Sequence, residues 1–290
     1  MDTIAIRHST LYRYDRPVEF GPHRLLIRPR DGHDMRILDS SLRVSPDAEV
    51  SWSFDTYGNS VAALRFHEAA DRLYIESELT VRRYGPDDAM PRLSLVSASY
   101  PFSYDSDDRI DLAPLLALEF PEEGAAVAEW LDRVMPTKHE ISAVVLNQLS
   151  SLIHTIFAYG RREMRGVQSP ARTIDLGAGT CRDFALLFIE AARNLGFAAR
   201  FVTGYLHDPG RDAVSAVVGG GATHAWADVF LPGAGWVEFD PTNRIVAGRN
   251  LIRVAATRTP RQALPMSGVY FPNGASFLGM NVEVEVGRVA

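Results

Sequence analysis

Cysteine is almost missing from this chain: Cys181 is the only one in 290 residues. No intrachain disulfide can form, and a secreted scaffold would carry an even set, so a reducing compartment is expected and the cytoplasm is the simplest location. Long apolar runs are missing too. No stretch approaches the roughly 18 apolar residues that a membrane span needs, and Met1 to Tyr14 has no apolar segment behind a basic start, so no membrane partner is expected. Positive charge is scarce. Thirty Lys and Arg face 36 Asp and Glu, a net charge of -6, and neighbouring acids dilute arginine-rich spots such as Arg24, Arg28 and Arg30. Counterion release then has no obvious source, and nucleic acid is not an expected partner. The eight histidines and one cysteine form no C-x-x-C, H-E-x-x-H or EF-hand pattern, so neither a metal nor another cofactor is expected.

What is present is globular material, 46% hydrophobic and 23% charged, enough for about two domains. From Thr3 to about Tyr84 the pattern is short, alternating and strand-like, as in Leu73-Tyr74-Ile75-Glu76-Ser77-Glu78-Leu79-Thr80-Val81. Turn signals at Pro17, Gly21-Pro22, Pro29, Ser45-Pro46-Asp47 and Tyr57-Gly58-Asn59 punctuate it, which predicts an N-terminal β-sandwich or small barrel over residues 1–90. Residues 91–120, rich in Pro, Asp and Ser, read as a linker, and residues 121–290 as a second domain with a C-terminal β tail. In that second part, apolar steps of three and four predict helices over Glu122 to Val134, Ile141 to Ile156 and Cys181 to Leu195, the last ended by Gly196. Strands follow at Ala199 to Leu206, His224 to Leu231 and Trp236 to Asp240.

A lone cysteine is ordinarily an inert buried hydrophobe. Here Thr180 and Asp183 match the helix-opening pattern [ST]-x-x-[DE], which sets Cys181 at the first helical position. A helix N-terminus favours the reactive thiolate, and the unpaired first-turn N–H groups can hold an oxyanion. Phe184, Ala185 and Phe188 share its face and aim it at the sheet. Period-2 alternation puts His224, Trp226, Asp228 and Phe230 on one face of their strand. Asp240 joins that face only if the turn between the two strands holds three or five residues, or a bulge intervenes; a four-residue turn would put it on the other side. Singly, His224 reads as a strand-end histidine and Asp240 as a turn residue before Pro241. Together with a capped cysteine they fit a nucleophile, a base and the residue that orients it.

Gly179-Thr180-Cys181-Arg182-Asp183-Phe184-Ala185, Thr223-His224-Ala225-Trp226 and Phe239-Asp240-Pro241-Thr242-Asn243 resemble the three core blocks of bacterial transglutaminase-like proteins, members of the papain-like cysteine-enzyme superfamily. His8-Ser9-Thr10-Leu11-Tyr12-Arg13-Tyr14, Arg28-Pro29-Arg30 and Asp55-Thr56-Tyr57-Gly58-Asn59 are similar to the β-rich region preceding the core in that family. The resemblance implies an α+β fold, in which a papain-like core with a helix-borne cysteine packed on an antiparallel sheet follows an N-terminal all-β domain. It also implies Cys181 as nucleophile, His224 as general base and acid, and Asp240 as the residue that holds the imidazole. The same triad serves peptide or amide hydrolysis, transamidation and deamidation, with a peptide or protein as substrate, and hydrolysis is the leading expectation. A non-catalytic peptide-binding module that keeps the fold is the reading from another class. Trp226 is a candidate wall of the acyl site or, equally, a core residue, since a strand tryptophan is commonly buried. By analogy with the family, Tyr159, Arg161, Arg162 and Gln168 line the substrate cleft, and association with ATP-grasp-like peptide ligases is a further implied link. Gly219-Gly220-Gly221 reads as a flexible connection before His224, with a mobile lid as the alternative. The oligomeric state is open.

Overall fold

The computed structural model describes residues 2–84, 89–160, 166–207, 223–248 and 250–289. Its first half is built on one long strand, β1 (Asp2–Leu25), joined by β2 (Met35–Ser45), β3 (Ala48–Phe54), β4 (Ser60–Phe66) and β5 (Ala70–Arg83). Pro17 and Gly21-Pro22, read from the sequence as breaks, lie inside β1, where the ladder slips between Arg13 and Val18 and between Phe20 and His23. Proline has no N–H to donate, so a chain that keeps its strand direction past one does so at an irregularity. The bends let β1 serve two layers. Its first part lies in the order β2-β5-β1, and its last part pairs with β4, which pairs with β3. Tyr14, Val18, Phe20, Leu25, Leu64, Phe66, Leu73 and Ile75 fill the space between the layers.

The expected linker is folded. It carries α1 (Met90–Val96), α2 (Ser106–Asp111) and α3 (Ala113–Leu116), with Asp105 accepting hydrogen bonds from the amides of Asp107 and Asp108 as the N-cap of α2. The acidic run that suggests a loop is therefore partly a cap, since a first-turn carboxylate satisfies orphan N–H groups. Leu93 packs into the main core, and Leu112 and Leu115 pack on Ala198.

After a 3-10 turn at Pro121–Glu123 come α4 (Gly124–Val134), α5 (Ser142–Ile156), β6 (Ala158–Tyr159), α6 (Pro170–Leu176), β7 (Ala178–Gly179) and α7 (Cys181–Asn194). The helix α6 goes unread in the sequence, being only two turns long; Ser169 caps it, Pro170 opens it and Gly177 closes it at φ +62°. The second sheet has the order β11-β10-β9-β8-β12, antiparallel throughout, from β8 (Ala199–Leu206), β9 (His224–Leu231), β10 (Gly235–Asp240), β11 (Ile245–Val246) and β12 (Leu251–Thr257). On one face Ala225, Ala227, Val229 and Leu231 share a core with Phe184, Ala185, Leu187 and Phe188 of α7. Small residues on the strand let the helix approach closely, and each fully buried Phe or Leu contributes about 1.5–3 kcal/mol. Helix α7 thereby crosses the sheet with its N-terminus at the His224 end.

The chain closes with β13 (Met266–Phe271) and β14 (Phe277–Arg288). Here the sequence-based division needs correction: this tail does not extend the second domain but returns to the first, β14 pairing with β1 from Ile4↔Arg288 to Tyr14↔Phe277 and β13 from Glu19↔Phe271 to Leu25↔Met266. Without them β1 would be an edge along much of its length, with unpaired backbone groups. The two halves are also fused through packing. Tyr205, Ile252 and Val254 of the second sheet share a core with Ile4, Ile6, Leu79 and Val81, and the Asn59 side chain pairs with both the amide and the carbonyl of Ala256.

Candidate active site

The N-terminus of α7 is assembled around Asp183. This buried carboxylate accepts the Thr180 amide and hydroxyl, each at 2.9 Å, on Oδ2, and the Gln168 amide at 2.6 Å on Oδ1. The sequence signal for a capping box is thus met by an acid that also holds a second segment in place. The first intrahelical bond runs from the Phe184 amide to the Thr180 carbonyl at 3.0 Å, so the amide of Cys181 belongs to the first-turn donors that have no intrahelical acceptor. In front of Cys181, β6 and β7 pair in parallel, with Tyr159 opposite Gly179.

The hairpin of β9 and β10 decides where the two partners fall. Leu231 pairs with Gly235, so Pro232, Gly233 and Ala234 form a three-residue turn, with Gly233 and Gly235 at φ +85° and +74°. The odd count keeps Asp240 on the side of His224, as the sequence argument required. His224 Nε2–H donates to Asp240 Oδ2 at 2.8 Å, and both side chains are fully buried. The remaining acceptor sites of Asp240 are taken by the Thr242 amide at 2.9 Å and by Asn243 Nδ2 at 2.8 Å. With Nε2 committed to the carboxylate, Nδ1 is the free position of the ring. It is buried without a hydrogen-bond partner, and Cys181 is among the groups that act on the His224 ring.

The electrostatics follow from that arrangement. Burial alone would pull the His224 pKa down, but the charge of Asp240, the hydrogen bond to it and the interaction with Cys181 together push it up to about 10. Burial would raise Asp240, and the imidazolium with the donors from His224, Asn243 and Thr242 outweighs it, so the carboxyl titrates below its ordinary range. The pair favours the imidazolium form of His224 over the neutral ring.

Other residues singled out in the sequence fall in different places. Trp226 takes the core alternative, which corrects its placement as a substrate-binding residue: it is fully buried among Val202, Leu206, Leu251 and Ala256, donates Nε1–H to Glu238 Oε1 at 3.3 Å, and its ring lies 6.0 Å from that of His224. It backs the histidine from inside the sheet instead of walling a cleft, because the even-numbered face of β9 is itself covered. Gln168 is nearly buried, and its Nε2 donates to the Ala178 carbonyl at 3.0 Å; its carboxamide braces the approach to α7. Tyr159 is half-buried beside the helix start, its ring edge-on to Phe184 at 6.3 Å. Arg161, Arg162 and Gly219 to Gly221 lie outside the described residues. Asn243 is a site residue that the sequence reading passed over. Its signal was an Asx turn, Asp240 accepting from the amide two residues on, which curls the next side chain back over the carboxylate. No cluster of three or more His, Cys, Asp or Glu suited to a metal occurs among the described residues.

Residues 4–82 match the bacterial transglutaminase-like N-terminal region, and residues 136–241 match the transglutaminase-like superfamily. An uncharacterized protein of Mycobacterium tuberculosis is 30% identical over 97% of this chain and 91% of its own length. A second, from Mycobacterium leprae, is 25% identical over 99% of both chains. The chain belongs to the transglutaminase-like superfamily, with the bacterial N-terminal region ahead of the core. Among solved structures, a protein of Cytophaga hutchinsonii described as a candidate cysteine protease superposes with a TM-score of 0.76 at 22% identity, covering all of this chain and 91% of that one. That likeness extends the shared fold over both halves of the molecule.

Proposed function

We propose that the protein is a cysteine-dependent peptidase or amidase that works through a thioester acyl-enzyme, with Cys181 as nucleophile, His224 as general acid and base, and Asp240 as the residue that holds the imidazole. The observation that carries this reading is the His224–Asp240 bond, which leaves a buried, otherwise uncommitted Nδ1 for Cys181 at a helix N-terminus. The thiolate adds to the carbonyl carbon of a peptide or side-chain amide, and first-turn N–H donors, that of Cys181 among them, receive the oxyanion. Collapse of the adduct breaks the C–N bond as Nδ1–H passes its proton to the leaving amine. The neutral imidazole then takes a proton from water, the hydroxide adds to the thioester, and release of the acid restores the thiolate and imidazolium. An amine in place of water gives transamidation by the same steps, and a glutamine side chain with water gives deamidation.

The test is acid-quenched mass spectrometry of the intact protein with a peptide pool, in the presence and absence of a primary amine. An acyl adduct on the wild type that Cys181→Ala lacks, with hydrolysed peptide as the main product, supports the reading. Amine-linked product dominating over hydrolysis would move the protein to the transferases. Absence of both adduct and turnover in folded protein across the pool would leave the non-catalytic binding module as the better account.

A further inference from the structure

The N-terminal sheet carries a second binding surface. Strand β3 is an outermost strand that pairs only with β4 among the described residues, and its alternation puts Val50, Trp52 and Phe54 on one face with 39%, 48% and 70% of their surfaces exposed. Such a strand, with a free backbone edge and large apolar side chains, is ordinarily blocked by lysine, proline or a bulge. Here it is left open beside a cleft of about 600 Å³ whose other lining includes Arg28, Ser40, Leu42 and Ser60, and no lining residue is a carboxylate. Two guanidiniums are set at the rim. Arg28 lies over the Trp52 ring at 5.9 Å and donates Nε–H to Ser40 Oγ at 3.2 Å. Arg30 lies over Phe54 at 5.3 Å and against Gly58, where a Cβ would collide with its guanidinium. Neither arginine has a carboxylate partner among the described residues, although the chain as a whole is acidic.

The geometry points to this cleft as a docking site for an extended, acidic peptide segment that adds to the open edge of β3. Strand addition supplies backbone hydrogen bonds, alternate side chains of the peptide rest on Val50, Trp52 and Phe54, and its carboxylates meet Arg28 and Arg30. The cleft between two strand rows accommodates one extended chain, whereas a lipid surface would call for a flat or convex patch. Docking here is independent of the chemistry at Cys181 and is read by binding alone.

The experiment uses full-length Cys181→Ala protein and fluorescein-labelled octapeptides with blocked ends, one of sequence Val-Ser-Glu-Ser repeated twice so that valine and glutamate share a face, the other with lysine in place of glutamate, followed by anisotropy at low and high salt. Saturable binding of the glutamate peptide that weakens with salt, and about tenfold or greater loss in both Arg28→Gln/Arg30→Gln and Trp52→Ser/Phe54→Ser, is the expected result. The substituted side chains are largely at the surface, and circular dichroism with the single Arg30→Gln variant separates lost binding from lost fold. Equal binding of the lysine peptide, an affinity untouched by the substitutions, no saturable binding of either peptide, or binding to phosphatidylserine vesicles without peptide binding would each overturn the assignment.

Discussion

Replacing Asp240 by Asn isolates the charge of the site from its shape. Asp240 is surrounded by donors: Oδ1 accepts the Thr242 amide, and Oδ2 accepts His224 Nε2–H and Asn243 Nδ2–H. An asparagine must turn its NH2 toward one side, and the smaller loss is the side with one donor. Its oxygen then stays on Nε2–H, the imidazole tautomer is kept, and what disappears is the negative charge and one bond to Thr242. With charge centres about 4 Å apart and an effective dielectric near 20, that charge holds the imidazolium by about 4 kcal/mol, or about three pH units. Iodoacetamide alkylation against pH, read by intact mass, measures this directly, because Cys181 is the only cysteine. The wild type should react faster at neutral pH than His224→Ala, and in Asp240→Asn the pH above which imidazolium assistance is lost should move down by as much as about three units. Superimposable profiles for wild type and Asp240→Asn would refute the electrostatic account of the site.

Asn243→Ala removes one donor to Asp240 and leaves the charge in place, so turnover should fall by about tenfold with KM nearly unchanged, in steady-state kinetics on any substrate found by the mass assay. Asp183→Ala orphans the buried amides of Thr180 and Gln168 together; urea unfolding should show a loss of at least about 3 kcal/mol, and a loss under about 1 kcal/mol would deny Asp183 its bracing role. Glu238 is raised to about 7, first by burial and further by Asp228, against the pull of Arg253; its folded-state pKa exceeds its unfolded one, so stability is lost as pH rises from about 4.5 through 7. Glu238→Gln keeps an acceptor for Trp226 and should flatten that slope, raising the unfolding free energy from urea titration near pH 8 by up to about 3 kcal/mol and leaving it unchanged near pH 4. Ending the chain before Met266 strips β13 and β14 from β1, and the product should aggregate or show a markedly lower melting temperature; a monomer that melts like the full chain would mean the tail is dispensable.

The helices and strands nearest the site were legible because their signals are local. The steps of three and four in Phe184, Ala185, Phe188, Ala191 and Ala192 and the cap at Thr180 place α7 to within a residue, and β8, β9 and β10 begin and end close to where alternation and turns put them. The tail was misassigned because its local pattern states only that it is a strand. Val282-Glu283-Val284-Glu285-Val286 would suit either sheet; its partner, β1, lies at the other end of the chain, and only tertiary pairing chooses between them. Trp226 was ambiguous for a related reason. Period-2 alternation fixes which residues share its face, and whether that face meets solvent depends on Leu251 and Ala256 of β12, which arrive later in the chain.

For the site itself, composition could not separate one histidine from another, because what matters is how each ring nitrogen is committed. His8 Nδ1 is bonded to the Tyr205 hydroxyl, His23 Nδ1 to the Gly21 carbonyl, His154 Nδ1 to the Thr242 carbonyl, and His139 Nδ1 accepts the Ile141 amide. Burial pushes His8 down to about 4, the usual fate of an imidazole enclosed without an acid. His224 is enclosed more completely and moves the opposite way, since Asp240 lies against its Nε2. A fold gains nothing in stability from a buried nitrogen left without a firm partner, which costs about 1–3 kcal/mol where it is not repaid. That Nδ1 of His224 is left in this condition, while its other nitrogen is fixed by a carboxylate with three donors around it, is what sets this ring apart from a histidine that merely completes a core.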